Sequence, residues 1–93
     1  MDITDKAKEQ LKHIVTKRQP NPGNYLRLTV PPIWEGEGDF GIVIDEERAG
    51  DVKVYYSDMV LMLIDPHLSE QLDSSVLNYI DSTEKTGFTL DVF

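Results

Sequence analysis

The stretch IWEGEGDFG, residues 33–41, holds the side chains best suited to chemistry in this chain of 93 residues. Glu35, Glu37 and Asp39 place a carboxylate at every second position, next to Trp34, the only tryptophan. Carboxylate oxygens are ligands for hard cations such as Fe²⁺, Mg²⁺ and Mn²⁺. The pattern therefore makes these three residues candidate metal ligands. The alternative is a solvated acidic loop whose glycines give it conformational freedom.

Two sharper interpretations of the same stretch fail on its sequence. An EF-hand calcium loop needs a glycine at its sixth position, where Phe40 stands, and residues 42–44 favour a strand. Acid–base catalysis needs an apolar wall that raises the pKa of one carboxyl group, and Trp34 beside Glu35 offers one. Because no nucleophile or oxyanion-hole motif accompanies them, we expect no enzyme.

Aromatic and basic side chains give two further candidate surfaces. Trp34, Tyr25 and Tyr55 are candidates for a partner surface, and packing between sheet layers is the alternative. Lys12, Lys17 and Arg18 lie toward the C-terminal end of a predicted helix, where the helix dipole stabilises cations. A phosphate-binding patch is the alternative. His13 and His67 have unrelated neighbours, and we expect both at the surface.

Composition removes several classes of function. The chain has no cysteine, so a disulfide framework, a thiolate-held zinc or iron–sulfur site and a cysteine nucleophile are excluded. The net charge of −8 disfavours nucleic acid and anionic membranes as partners. The longest apolar run, residues 59–64, is far shorter than the roughly 20 residues of a membrane span. With no basic-then-apolar leader, we expect a cytoplasmic protein made of one small domain, residues 1–93.

Hydrophobic periodicity predicts a β-rich α+β fold with one flanking N-terminal helix and one short helix. The first helix is capped by Thr4 and has an apolar stripe that includes Ala7 and Leu11. The short helix begins at Asp65-Pro66, with the aspartate as cap. The predicted strands, from alternation and apolar runs, are residues 25–30, 40–44, 52–56, 60–64, 76–80 and 88–92.

The order of these elements and several motifs resemble one family, the HesB/IscA-like domain of A-type iron–sulfur carriers. Residues 3–8 (ITDKAK) are similar to its I-T-x-x-A start, and residues 25–30 (YLRLTV) to its G-L-R-L-x-V strand. Residues 65–73 with 76–80 resemble its D-x-x-S-x-x-x-L-D-G-x-x-L-D-F/Y segment. Residues 87–90 (GFTL) resemble its closing G-F-x-F/I. The likeness extends over nearly the whole chain.

The resemblance implies a fold but not the chemistry that goes with it. It implies a small pseudobarrel of mixed sheets. Members of the family bind iron or an iron–sulfur cluster through three cysteines. Aligned without gaps from Leu26, the first of those cysteines falls at Glu35, and the sequence ends at Phe93 with no counterpart of the other two. We therefore expect no iron–sulfur cluster here, with iron at carboxylates as the open possibility.

Two functions follow from the sequence. The first is a cysteine-free HesB/IscA-like binding module that is accessory to iron or iron–sulfur metabolism, with iron–sulfur assembly proteins as candidate partners. The alternative is a metal-independent interaction or regulatory domain. Both are compatible with a monomer or a homodimer.

Overall fold

The chain consists of short strands, with one helix near its N-terminus and a second, shorter helix before the last two strands. The computed structural model describes residues 1–36 and 38–92, and in this part of the chain it contains seven strands and two helices. In chain order these are β1 (Asp2–Ile3), α1 (Asp5–Arg18), β2 (Asn24–Thr29), β3 (Gly41–Glu46), β4 (Val52–Tyr56), β5 (Met59–Ile64), α2 (Pro66–Gln71), β6 (Ser75–Asp81) and β7 (Thr86–Val92).

The strands form two mixed sheets, as the resemblance implies. One sheet has the order β1-β6-β7 and the other β3-β2-β5-β4. The pairs β1/β6 and β2/β5 are parallel, and the remaining neighbours are antiparallel. The predicted fold class, β-rich with an N-terminal helix and one short helix, is confirmed. This order leaves β3 and β7 each at the edge of a sheet.

Helix α1 joins the two sheets by packing on β5 and β6. Its Ala7 and Leu11 are fully buried and lie in one hydrophobic cluster with Leu28, Met62 and Leu77. These residues come from both sheets, so the helix closes a shared core. Because a chain of this length buries a limited part of its surface, that single cluster is the main source of stability.

The beginning of α1 is fixed by the side chain of Thr4, which both accepts and donates a hydrogen bond. The hydroxyl of Thr4 accepts a hydrogen bond from the Ala7 N–H at 3.2 Å and donates one to Asn78 Oδ1 at 2.7 Å. The backbone N–H of Thr4 also donates to the carbonyl of Leu77 at 3.0 Å. The predicted cap is therefore confirmed, and it also attaches the helix to β6.

Five of the six predicted strands differ from the observed ones by one or two residues at an end. Val30 was predicted in a strand, but β2 ends at Thr29 because Pro31 follows Val30 and cannot continue the ladder. Asp2 and Ile3 form β1, which was not predicted and which pairs with Val76 and Leu77 of β6.

The largest departure from simple strand alternation is Arg27 in the middle of β2. Its side chain is only 4% exposed and makes a bidentate contact with Asp51, at 2.9 Å and 2.6 Å. It also donates to the carbonyl of Glu46 at 3.0 Å, and its Nε lies 3.0 Å from Asp45 Oδ2. The hydrogen bonds from Arg27 and the backbone N–H of Arg48 outweigh burial and hold the pKa of Asp51 below its usual value. The charged segment before β4 thus anchors the outer face of the sheet.

Candidate functional site

The segment between β2 and β3 is organised around Trp34. Its backbone N–H donates to the carbonyl of Val30 at 3.0 Å, and its side chain is half-buried. A Cβ atom placed on Gly36 would lie 2.3 Å from Cζ2 of the indole, and one placed on Gly41 would lie 2.3 Å from Cε3. Both glycines therefore give the six-membered ring of Trp34 the space that it occupies. Their function at these two positions is close packing, whereas the sequence indicated conformational freedom.

The three candidate metal ligands are placed only in part. Glu35 and Asp39 are exposed, and Glu37 lies outside the described residues. Within residues 1–36 and 38–92, no group of three His, Cys, Asp or Glu side chains is close enough to hold a metal ion. Since the predicted set includes Glu37, the three-carboxylate site remains a prediction.

The three aromatic residues predicted as a partner surface do not share one face. Tyr25 and Tyr55 both lie near the ammonium group of Lys53, and Tyr55 is 53% exposed. Trp34 instead lines a groove together with Leu26, which neighbours Tyr25 in β2 and so points to the opposite face. The two tyrosines are one surface and the tryptophan belongs to another. Whether either surface binds a partner stays a prediction.

The groove beside Trp34 is an open cavity of about 980 Å³ between α1 and the edge strand β3. Its apolar side consists of Leu26, Ile42 and Ile44, with Phe88 of β7 beside them. Ile44 is 48% exposed, because no further strand or helix in the described part of the chain covers the edge of β3. The core therefore opens to solvent along this edge.

The other side of the groove is basic. His13, Lys17 and Arg18 line it from α1, and none of the described lining residues is Asp or Glu. Neither Lys17 nor Arg18 forms an ion pair with any residue among those described. The sequence grouped Lys12 with them, but Lys12 lies over the ring of Tyr56 at 5.0 Å. The predicted basic group thus divides, and of its three residues only Lys17 and Arg18 line the groove.

Sequence reasoning identified the charges of this groove but not the groove itself. The signal that was available is the position of Lys17 and Arg18 at the end of a helix, but the strand that follows, β2, lies inside its sheet and the edge strand β3 comes after it. Which strand is the edge depends on the order β3-β2-β5-β4, and alternation within single strands does not reveal that order. His13, predicted at the surface, is exposed at the rim.

Comparison with solved structures identifies the fold. The Escherichia coli protein SufA, described as involved in biosynthesis of iron–sulfur clusters, superposes with a TM-score of 0.66 and 18% identity, over 98% of this chain and 83% of SufA. A protein from Aquifex aeolicus superposes with a TM-score of 0.65 and 25% identity, over 98% of this chain and 89% of that one. IscA with a [2Fe–2S] cluster gives 0.59 and 18%, over 98% of this chain and 80% of IscA.

No family model matches this sequence. No curated protein matches it either. The superpositions nevertheless show that the chain has the IscA/SufA-like fold, so the resemblance based on its motifs is confirmed at the level of structure.

Its residues do not fit the cluster that IscA holds. The chain has no cysteine, and iron–sulfur clusters are held chiefly by thiolates. The carboxylates of residues 33–41 are hard oxygen donors, which suit a single cation far better than a sulfide-bridged centre. No described residue range forms a helix long and apolar enough to cross a bilayer.

Proposed function

We propose that this chain is a binding domain without enzymatic activity, accessory to iron or iron–sulfur metabolism, that holds no cluster through its own side chains. The observation that supports the proposal is an IscA/SufA-like fold over 98% of a chain without cysteine. The fold keeps the scaffold of a carrier. Without thiolates, the remaining routes are a single iron ion on carboxylates or contact with cluster-assembly proteins.

Iron binding is tested by anaerobic titration of the purified chain with Fe²⁺ and Fe³⁺, followed by calorimetry and absorbance. The matched variant changes Glu35, Glu37 and Asp39 to Gln, Gln and Asn, which keeps size while removing three charges. A carboxylate site predicts heat of binding in the wild type that the variant loses. Equal heats in both proteins remove these residues from consideration.

The absence of a self-held cluster is tested by reconstitution with iron and sulfide under reducing conditions. We expect no stoichiometric [2Fe–2S] absorbance on the isolated chain after desalting. A cluster at one equivalent per chain or per dimer would overturn the proposal.

The accessory role is tested by mixing the chain with apo and cluster-loaded E. coli SufA. Saturable binding that depends on loading supports it, and no binding to either form argues against that partner class.

The second candidate function is a metal-independent interaction domain, and the packing of Trp34 favours it. The indole ring of Trp34 is fitted against Gly36 and Gly41, so the described part of the loop has a packing restraint that is not a metal ion. A ligand at a hundred times its dissociation constant raises the free energy of unfolding by about 2.7 kcal/mol. A thermal melt unchanged by saturating iron would therefore favour this second function over the first.

A further inference from the structure

We propose that the groove between α1 and β3 is a binding site for a small anionic amphiphile, a molecule with an acidic head and an apolar tail such as a medium-chain carboxylate. The proposal goes beyond the function proposed above and does not depend on it. It rests on three features of the groove: its shape, its apolar side and the sign of its charge.

The volume and composition of the groove lie within the range of small-molecule sites. Small-molecule pockets have volumes of roughly 300–1,000 Å³ and combine apolar walls with a few convergent polar groups. This groove has a volume of about 980 Å³. Its apolar side continues into the core through Leu26, which is only 2% exposed, while Ile44 at its edge is 48% exposed. An apolar tail lying along β3 would remove that exposed surface from water.

The charge of the groove selects an anion. The chain has 17 acidic and 9 basic side chains, yet the described lining contains Lys17 and Arg18 and no carboxylate. An anionic head beside the last turn of α1 would pair with these two cations, which have no ion-pair partner among the described residues. The rest of the acidic surface would repel the same ligand, so the groove is the place where it binds.

Trp34 provides the reporter for the test, because it lines the groove and is the only tryptophan. The wild-type chain is titrated with decanoate below its micelle concentration, and with decan-1-ol as a neutral probe of the same length. We expect a saturable change of tryptophan emission at one equivalent, and weaker binding of the alcohol. No saturable change, or equal affinity for both probes, would overturn the proposal.

Two variants separate the contributions of head and tail. Lys17→Gln combined with Arg18→Gln is expected to weaken decanoate binding about tenfold and to leave decan-1-ol binding unchanged. Lys6→Gln combined with Lys8→Gln, on the same helix outside the groove, is the matched control and should change neither. Ile44→Asn, at a half-exposed position, should weaken both probes by a similar factor. A charge variant that binds decanoate like the wild type refutes the role of the cations.

Two further measurements keep the result independent of variant folding. Amide chemical shifts of the wild-type chain should move with decanoate in α1, β3 and at Trp34, and shifts confined to other regions would refute the location. Sedimentation of the wild type and of the Ile44→Asn variant tests a second copy as occupant. A dimer that the variant dissociates would assign the groove to self-association and overturn the ligand proposal.

Discussion

Replacing Gly41 by alanine tests whether the loop is held by the fit of Trp34. The new Cβ would lie 2.3 Å from Cε3 of the indole, whereas ordinary contacts begin at 3.4 Å, so the ring would have to retreat by about 1 Å. Overpacking of this kind costs roughly 1–3 kcal/mol, and the entropy gained by removing a glycine offsets roughly 0.4–1 kcal/mol of it. We expect a net loss of about 1–2 kcal/mol in the free energy of unfolding.

The assay is urea denaturation followed by circular dichroism, in a double-mutant cycle with Trp34→Ala. If the clash with the indole is the cause, Gly41→Ala should be neutral or slightly stabilising once the ring is gone. For a domain of this size, 1 kcal/mol corresponds to roughly 4–8 °C in melting temperature, which is easily measured. An equal loss in both backgrounds would show that Gly41 is required for another reason and would refute the packing argument.

Two further predictions concern the framework that holds the groove and the loop. Asp51→Asn leaves the buried Arg27 with a weaker set of partners and should cost about 3 kcal/mol in urea unfolding. Because the pKa of Asp51 is lowered in the fold, its contribution to the free energy of unfolding is present above its unfolded pKa of about 3.9 and is lost as pH falls below that value. The variant should therefore lose less stability in acid than the wild type. The same dependence of stability on acid pH in both proteins would contradict this expectation. Thr4→Ala should cost about 1–2 kcal/mol by removing the cap of α1, whereas Thr4→Ser should retain most of the stability. Equal losses for alanine and serine would exclude the hydroxyl as the cause.

Local patterns were sufficient to predict most of the fold. The strand β4 was predicted with its observed bounds, Val52–Tyr56, because alternation and flanking turn residues define it within the sequence itself. The start of α1 followed from the cap at Thr4. β1 was missed because two residues have no period, and their strand character comes only from pairing with β6.

Contacts between distant residues could not be predicted in the same way. Alternation places Arg27 on the face opposite Leu26, and whether that face is exposed depends on Asp51, 24 residues later. The glycines of residues 33–41 predicted freedom, and Gly38 does have a positive φ of 88°. Nothing local shows that the ring of Trp34 will fill the space beside Gly36 and Gly41. The same limit applies to the groove, which exists because β3 has no neighbour on one side among the described residues.

The candidate chemistries of this chain have opposite charge and different locations, so the experiments on them can be interpreted separately. The carboxylates Glu35 and Asp39 are exposed, so water would compete with them as a ligand of any bound ion. Lys17 and Arg18 face the groove and attract an anionic head, while the apolar side of the groove favours an apolar tail. Trp34 borders both regions, because its backbone belongs to the loop and its side chain lines the groove. A chelator should leave its emission unchanged if packing alone fixes the loop, while decanoate should change it. A change of emission on adding chelator would mean that a cation holds the loop, and the metal-independent account of its conformation would be wrong.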